Sequence, residues 1–320
     1  MRNSAWLAVL LFLVGCGSSE NASERVFLTV GTAPPGGAFF VVGSAIAEVA
    51  QSNAAELSWQ VSAQGTKGTQ ENIRRLQQGD LQFALANAAI SYFAVRGEGI
   101  WKTPHSVRSV MTLAPNVALF VTPADSGIKT IADLKGKRVV VGPNGAGFEH
   151  FIAPILTAHG LSYQDFTPLH QSQQGAVALL ADGSADAAFL GGAVPTASIV
   201  QACATREIHF IPFTAKAREK LVQNYSFFTH KEIPAGTYKG QTEAYAGLNV
   251  GNMHLVTADS MDEEVVYQFT KRIYENAEQV VARHPAGRAI NPANVVRDTG
   301  TPFHAGAIRY YKEVGIWPSK

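Results

Sequence analysis

The chain has 320 residues, 46% of them hydrophobic and 16% charged, and a formal net charge of +1. That length suits two domains or one large one around a packed core, and the composition is that of a globular protein of low charge density. Without a long basic run or alternating basic and aromatic residues, the sequence argues against nucleic acid as a partner.

The first residues read as a targeting signal. Met1-Arg2 is a short positive start, and Ala5 to Val14 is apolar but shorter than the roughly 20 residues of a spanning helix. The run ends in Leu13-Val14-Gly15-Cys16, which resembles the bacterial lipobox. On that reading residues 1–15 are a lipoprotein signal peptide, Cys16 carries lipid, and residues 16–25 form a tether on the membrane surface. The alternative is an ordinary secretory signal with a coincidental cysteine. The expected location is the cell envelope, extracytoplasmic and lipid-anchored. Gly17-Ser18 after the cysteine carries no aspartate retention signal, which favours the outer membrane where the host has one. Cys203 is the other cysteine, so acylation of Cys16 leaves no intrachain disulfide.

Val26 to Val30 reads as a first strand, followed by the turn Gly31 to Gly37 and a helix from Phe39 to Gln51. Leu57 to Val61 alternates as a half-buried strand does. Gly65 to Gly68 is a second glycine turn, and Thr69, as N-cap, opens a helix ended by Gly79. Leu81 to Ala86 is a strand leading to Asn87. The apolar run Val117 to Val121 and the strand Arg138 to Val141 start a second series, with a third glycine turn at Gly142 to Glu149. Gln174 to Ala181 is a short helix, and Asp186 to Gly192 a strand ending in two glycines. Met253 to Thr257 is a strand, and Met261 to Arg283 reads as one long helix with an apolar stripe. Strands alternating with helices imply α/β lobes with parallel sheets.

Catalytic signatures are missing: there is no G-x-S-x-G, HExxH, CxxC or Walker A pattern, and no pair of histidines at helical metal-ligand spacing. No cofactor, metal site or enzyme activity is expected. Glu149-His150 is an acid–base candidate, or else a first-turn glutamate that complements a helix dipole. Three glycine turns that open helices, with Gly191-Gly192 at a strand end, place backbone N–H groups where open α/β sheets bind ligands. The alternative is tight connections that need glycine for backbone geometry alone.

Several segments together carry a family resemblance. They are Gly36 to Gly43, Thr69 to Ile73, Ala124 to Val139, Gly191 to Pro195, Ile233 to Tyr238 and Thr301 to Ala307. With them the chain resembles a TAXI-type solute receptor of the TRAP transporters. The resemblance implies an α/β type II periplasmic-binding-protein fold, two βα lobes joined by crossing strands around a ligand cleft. Lobe 1 would hold residues 26–117 plus 255–320, and lobe 2 residues 118–254. The pocket it implies is lined by Ala38, Phe39 and Phe40, by Gln64, Gly65 and Thr66, and by Asn87. The other lobe would offer Asn144, Gly145, Ala146 and Phe148, then Gly191, Gly192 and Pro195.

Family members commonly carry hydroxyl residues where this chain has Ala38, Phe39, Phe40, Ala146 and Phe148. That difference points to a ligand less polar than a dicarboxylate, an aromatic or branched monocarboxylate; the alternative is that backbone N–H groups and water satisfy a polar one. The expected function is delivery of a small organic acid to the membrane subunit of a TRAP transporter. A sensor or accessory lipoprotein of the same fold, signalling to a membrane partner, is the alternative.

Overall fold

The computed structural model describes residues 25–35 and 37–318; the expected leader, Cys16 and the tether up to residue 24 lie outside the described residues. Lobe 1 begins with β1 (Val26–Gly31), α1 (Ala38–Ser52), β2 (Trp59–Gln64), α2 (Thr69–Gln78), β3 (Phe83–Asn87), α3 (Ala88–Arg96) and β4 (Val107–Thr112). Lobe 2 follows with β5 (Val117–Pro123), β6 (Arg138–Val140), α4 (Glu149–Ala158), β7 (Thr167–Leu169), α5 (Gln173–Ala181) and β8 (Ala187–Gly192). It continues through α6 (Ala197–Thr205), β9 (Ile208–Phe210), α7 (Ala215–Asn224), β10 (Phe228–Ile233) and β11 (Tyr245–Val250). The chain then returns to lobe 1 as β12 (Met253–Ala258), α8 (Glu263–Glu275), α9 (Ala277–Arg283), α10 (Pro292–Val295) and α11 (Ala305–Glu313).

The first sheet has the order β2-β1-β3-β12-β4. β1 pairs in parallel with β2 and β3, as strands separated by helices must, and β12 inserts antiparallel between β3 and β4. The second sheet runs β10-β11-β5-β8-β6-β7, with β9 paired to β5. Helices cover both sheets, so β3 and β5 are buried along their whole length. In lobe 1, α1, α8 and α11 close one face, where Phe83 stacks on Phe269 with ring centroids 3.9 Å apart.

Two expectations are corrected. The helix expected from Met261 to Arg283 is two helices, α8 and α9. Asn276 ends the first, with both its backbone N–H, at 3.2 Å, and its side-chain amide, at 2.9 Å, donating to the Arg272 carbonyl. Thr69 is not the cap of α2. The N-cap is Gly68, at φ +125°, and the Thr69 hydroxyl instead accepts from Asn87 N–H at 2.9 Å.

The lobes are joined by two short passages, residues 113–116 on the way out and Gly251-Asn252 on the way back. Buried asparagines tie them together. Asn249 Oδ1 accepts from Asn116 N–H at 3.0 Å, Asn249 Nδ2 donates to Asn252 Oδ1 at 2.7 Å, and Asn252 Nδ2 donates to the Leu113 carbonyl at 2.8 Å. Asn87 Nδ2 adds a bond to the Gly251 carbonyl at 3.0 Å. Each amide satisfies backbone groups that a sheet ladder leaves open where the chain changes lobe.

Candidate functional site

Between the lobes lies a cavity of about 390 Å³. Lobe 1 supplies Pro34, Pro35 and the first residues of α1, then Lys67 to Thr69. Lobe 2 supplies Ala146 and Phe148 from the third glycine turn, Phe189, Gly191 and Gly192 from β8, and Pro195 to Ser198 at the start of α6. Asn116 and Ala118 line it from the crossing.

The helices that begin here are of two kinds. No side chain caps α1, α2, α4 or α6, whereas α3 and α5 are capped by Asn87 and Ser172. Gly37 and Gly68, the N-caps of α1 and α2, have no side chain to give. Uncapped first turns concentrate positive dipole charge, although the N–H groups of Gln70 in α2 and of His150 and Phe151 in α4 are taken by backbone carbonyls. The lining carries one cation, Lys67, and no aspartate or glutamate among the described residues. His284 also lines it, and burial lowers its pKa, which favours the neutral ring. Elsewhere the wall is apolar, with Phe39, Val41, Ile90, Phe148, Phe151 and Phe189. A pocket of this kind holds an organic anion by dipoles and one ammonium group while its body rests on aromatic rings.

Polar side chains at the wall differ in whether they are free. Asn116 is 9% exposed, lines the cavity, and its side-chain amide makes no hydrogen bond among the described residues. Gln173 is committed: it brackets Gly191 through both amide atoms, at 2.8 and 3.2 Å, and accepts from Ser198 Oγ at 2.6 Å. The Thr69 hydroxyl accepts from Asn87 N–H and keeps its own proton for a ligand.

Of the residues expected at the site, Ala38, Phe39, Asn87, Ala146, Phe148, Gly191, Gly192 and Pro195 line this cavity. Phe40, Gln64, Gly65, Thr66, Asn144 and Gly145 do not. Gln64 is exposed at the end of β2, where its Oε1 accepts from Arg75 at 3.0 Å. Thr66 is turned inward, donating to the Thr32 carbonyl at 3.1 Å. Asn87 reaches the wall with its side chain already spent: Oδ1 accepts from Ala89 N–H at 2.9 Å and Nδ2 holds Gly251. The third glycine turn lines the cavity together with Pro34, Pro35, Ala38 and Phe39 and also touches α2 and α3. Gln70 N–H donates to the Ala146 carbonyl at 3.5 Å, and a β-carbon at Gly147 would stand 3.0 Å from Ile90 Cδ1. The lobes therefore touch directly along this edge.

Asn116, Lys67, Thr69, Gln173 and Ser198 were missed by sequence reasoning. Asn116 carried one signal, a polar residue placed between Pro115 and the apolar run of the crossing strand. Glu149 and His150 lie away from the cleft, on a second cavity of about 430 Å³ on the outer side of α4. Among the described residues no group of three or more His, Cys, Asp or Glu could hold a metal ion, and no helix is long and apolar enough to cross a membrane. Cys203 is buried, and burial pushes its thiol pKa up.

Solved structures share this architecture at low identity. The alkanesulfonate-binding protein of Xanthomonas axonopodis pv. citri bound to MOPS aligns at a TM-score of 0.50 and 16% identity, covering 93% of this chain and 82% of that one. A Xanthomonas citri protein bound to ATP aligns at 0.51 and 11% identity, covering 91% and 97%. A structure from work on glutathione import through the cystine importer of Streptococcus mutans aligns at 0.50 and 13% identity, covering 86% and 99%. The two-lobed α/β fold expected from the sequence is thus the fold of periplasmic binding proteins. Residues 30–315 match the family model described as the NMT1-like family, and the chain belongs to that family.

Proposed function

We propose that the chain is an extracytoplasmic solute receptor that closes on a small organic anion with an apolar or aromatic body and delivers it to a membrane transporter. The observation that carries this reading is the cavity between the lobes, where uncapped helix starts from both lobes and Lys67 meet a lining without a carboxylate. Each helix start favours an anion by roughly 0.3–1 kcal/mol, more where partly buried. Asn116 orients the ligand from the crossing, and Phe39, Phe148 and Phe189 hold its body. The protein acts as a receptor and not as an enzyme on this reading, because no nucleophile with a base and no metal-ligand set lines the cleft among the described residues.

The finer assignments rest on sequence resemblance. The segments from Gly36 to Gly43 and from Ile233 to Tyr238 favour a TRAP-type partner, although solved relatives of the fold include a component named with an ABC importer. Leu13 to Cys16 favours a lipid anchor in the cell envelope.

Native mass spectrometry of protein purified without refolding, followed by calorimetry, tests the proposal. The expected ligand is an aromatic or branched monocarboxylate, with at least tenfold weaker binding in Asn116→Ala. Tight binding of glutamate or 2-oxoglutarate with aromatic acids inert would refute the ligand class. A retained cation or neutral sugar would refute the anion reading.

A further inference from the structure

His150 is the second residue of α4 and is 5% exposed. Its Nδ1 lies 3.1 Å from the Gly147 carbonyl, which only accepts, so Nδ1 carries the proton and Nε2 keeps a lone pair. Nε2 is buried and has no hydrogen-bond partner among the described residues. Part of what lies against the ring belongs to the other lobe. A β-carbon at Gly99 would stand 3.5 Å from Nε2, and the rings of Phe93 and Trp101 lie 5.4 and 6.0 Å from the imidazole. The turn that precedes His150 also carries the Gln70–Ala146 contact at the mouth of the cleft. A lobe 2 histidine is therefore packed against lobe 1.

We propose that His150 is a proton-operated latch between the lobes: uncharged it packs under Gly99 and Trp101 with the cleft closed, and taking a proton at Nε2 drives the lobes apart. The inference rests on the reading of the cleft as one that opens and closes. A protonated Nε2 would be a buried donor with no acceptor, next to the positive end of α4. Opening exposes it to water.

The surrounding charges leave this balance in place. On α4, Glu149 Oε1 lies 3.8 Å from Nδ1 and favours the cation, but it is itself partly exposed. Lys220 and Tyr225, at the C-terminal part of lobe 2, and Tyr163 line the same outer cavity. Glu98, after α3, acts on Tyr225. From lobe 1, Arg74 lies over Trp101 at 5.4 Å, and His105 packs on Trp101 at 4.6 Å, its own pKa lowered by burial and Arg74. For His150 burial is the largest influence and lowers the pKa, opposed by Glu149 and the Gly147 carbonyl. The closed form thus binds fewer protons than the open form, whose imidazole has an ordinary pKa near 6.5. Closure is fully favoured above about pH 6.5 and is lost as pH falls below it, by up to tenfold per pH unit.

The test is the distance between the lobes in the full chain, by electron–electron double resonance between nitroxides on keto amino acids placed at Ser62 and Lys216. No solute is added, so the result is independent of which anion the cleft binds. Between pH 7.5 and 5.0 the closed-to-open ratio is expected to fall up to about 30-fold in the wild type. It should stay flat in His150→Gln and follow the wild type in His105→Gln. A wild-type distribution that does not change over this range overturns the latch, as does a response that persists in His150→Gln. Should His150→Gln fail to fold, the wild-type titration decides together with the imidazole shift of His150: titration in step with the distance change supports the latch, and titration apart from it does not.

Discussion

Gly191 stands where β8 passes the crossing strand β5, and a β-carbon there would run into that of Ala118. The expected cost of Gly191→Ala is overpacking of about 1–3 kcal/mol, read as a lower denaturant midpoint with an unchanged slope. From sequence alone the pair Gly191-Gly192 was legible as a place where something approaches the backbone; the structure shows that β5 approaches Gly191 and that the cavity also reaches it. Gly37 and Gly68 were legible in the same way as turns that open helices. Asn87, Gln64 and Thr66 were not, because a polar side chain at a strand end looks alike in sequence whether it faces a ligand or satisfies a distant carbonyl. Asn87 and Thr66 do the latter, and Gln64 pairs with Arg75 in solvent.

Among the elements, those with a clean period were readable. The strands β1 and β8 and the helices α1 and α2 fall close to their expected places. The apolar helix α3 and the buried strand β4 were not resolved as such, since segments covered on both faces lose the polar beat that separates strand from helix. β12 illustrates what such burial does to a titratable group. His254 lies within it, fully buried, its Nε2 2.9 Å from Ser91 Oγ on α3 and its Nδ1 without a partner. Burial pushes its pKa down to about 3. Below the ordinary value near 6.5 the unfolded chain binds a proton that the folded chain refuses. Stability is therefore expected to decline from about pH 6.5 toward 3, by up to about 1.4 kcal/mol per unit from this group. Denaturant unfolding of His254→Gln over that range should show a shallower decline; an unchanged slope would assign the acid sensitivity elsewhere.

At the scale of the molecule, the two passages between lobes are held by side-chain amides as well as by backbone hydrogen bonds. Removing one link, Asn252→Ala, leaves Asn249 Nδ2 without its Asn252 acceptor and the Leu113 carbonyl with one side-chain donor, Asn294, in place of two. The expected loss is about 1–3 kcal/mol with a broader spread of distances between the lobes, measured by unfolding and by the same resonance pair. A spread like that of the wild type would move the pivot elsewhere. Asn87 belongs to this arrangement in a second way. One amide starts α3 by accepting from Ala89 N–H and grips the return passage at Gly251, so helix start and pivot share a single side chain. A rotation at Gly251 that turned this side chain with it would also release the Ala89 amide proton. Hydrogen exchange at Ala89 therefore acts as a gauge, built into the backbone, of how often the two lobes part.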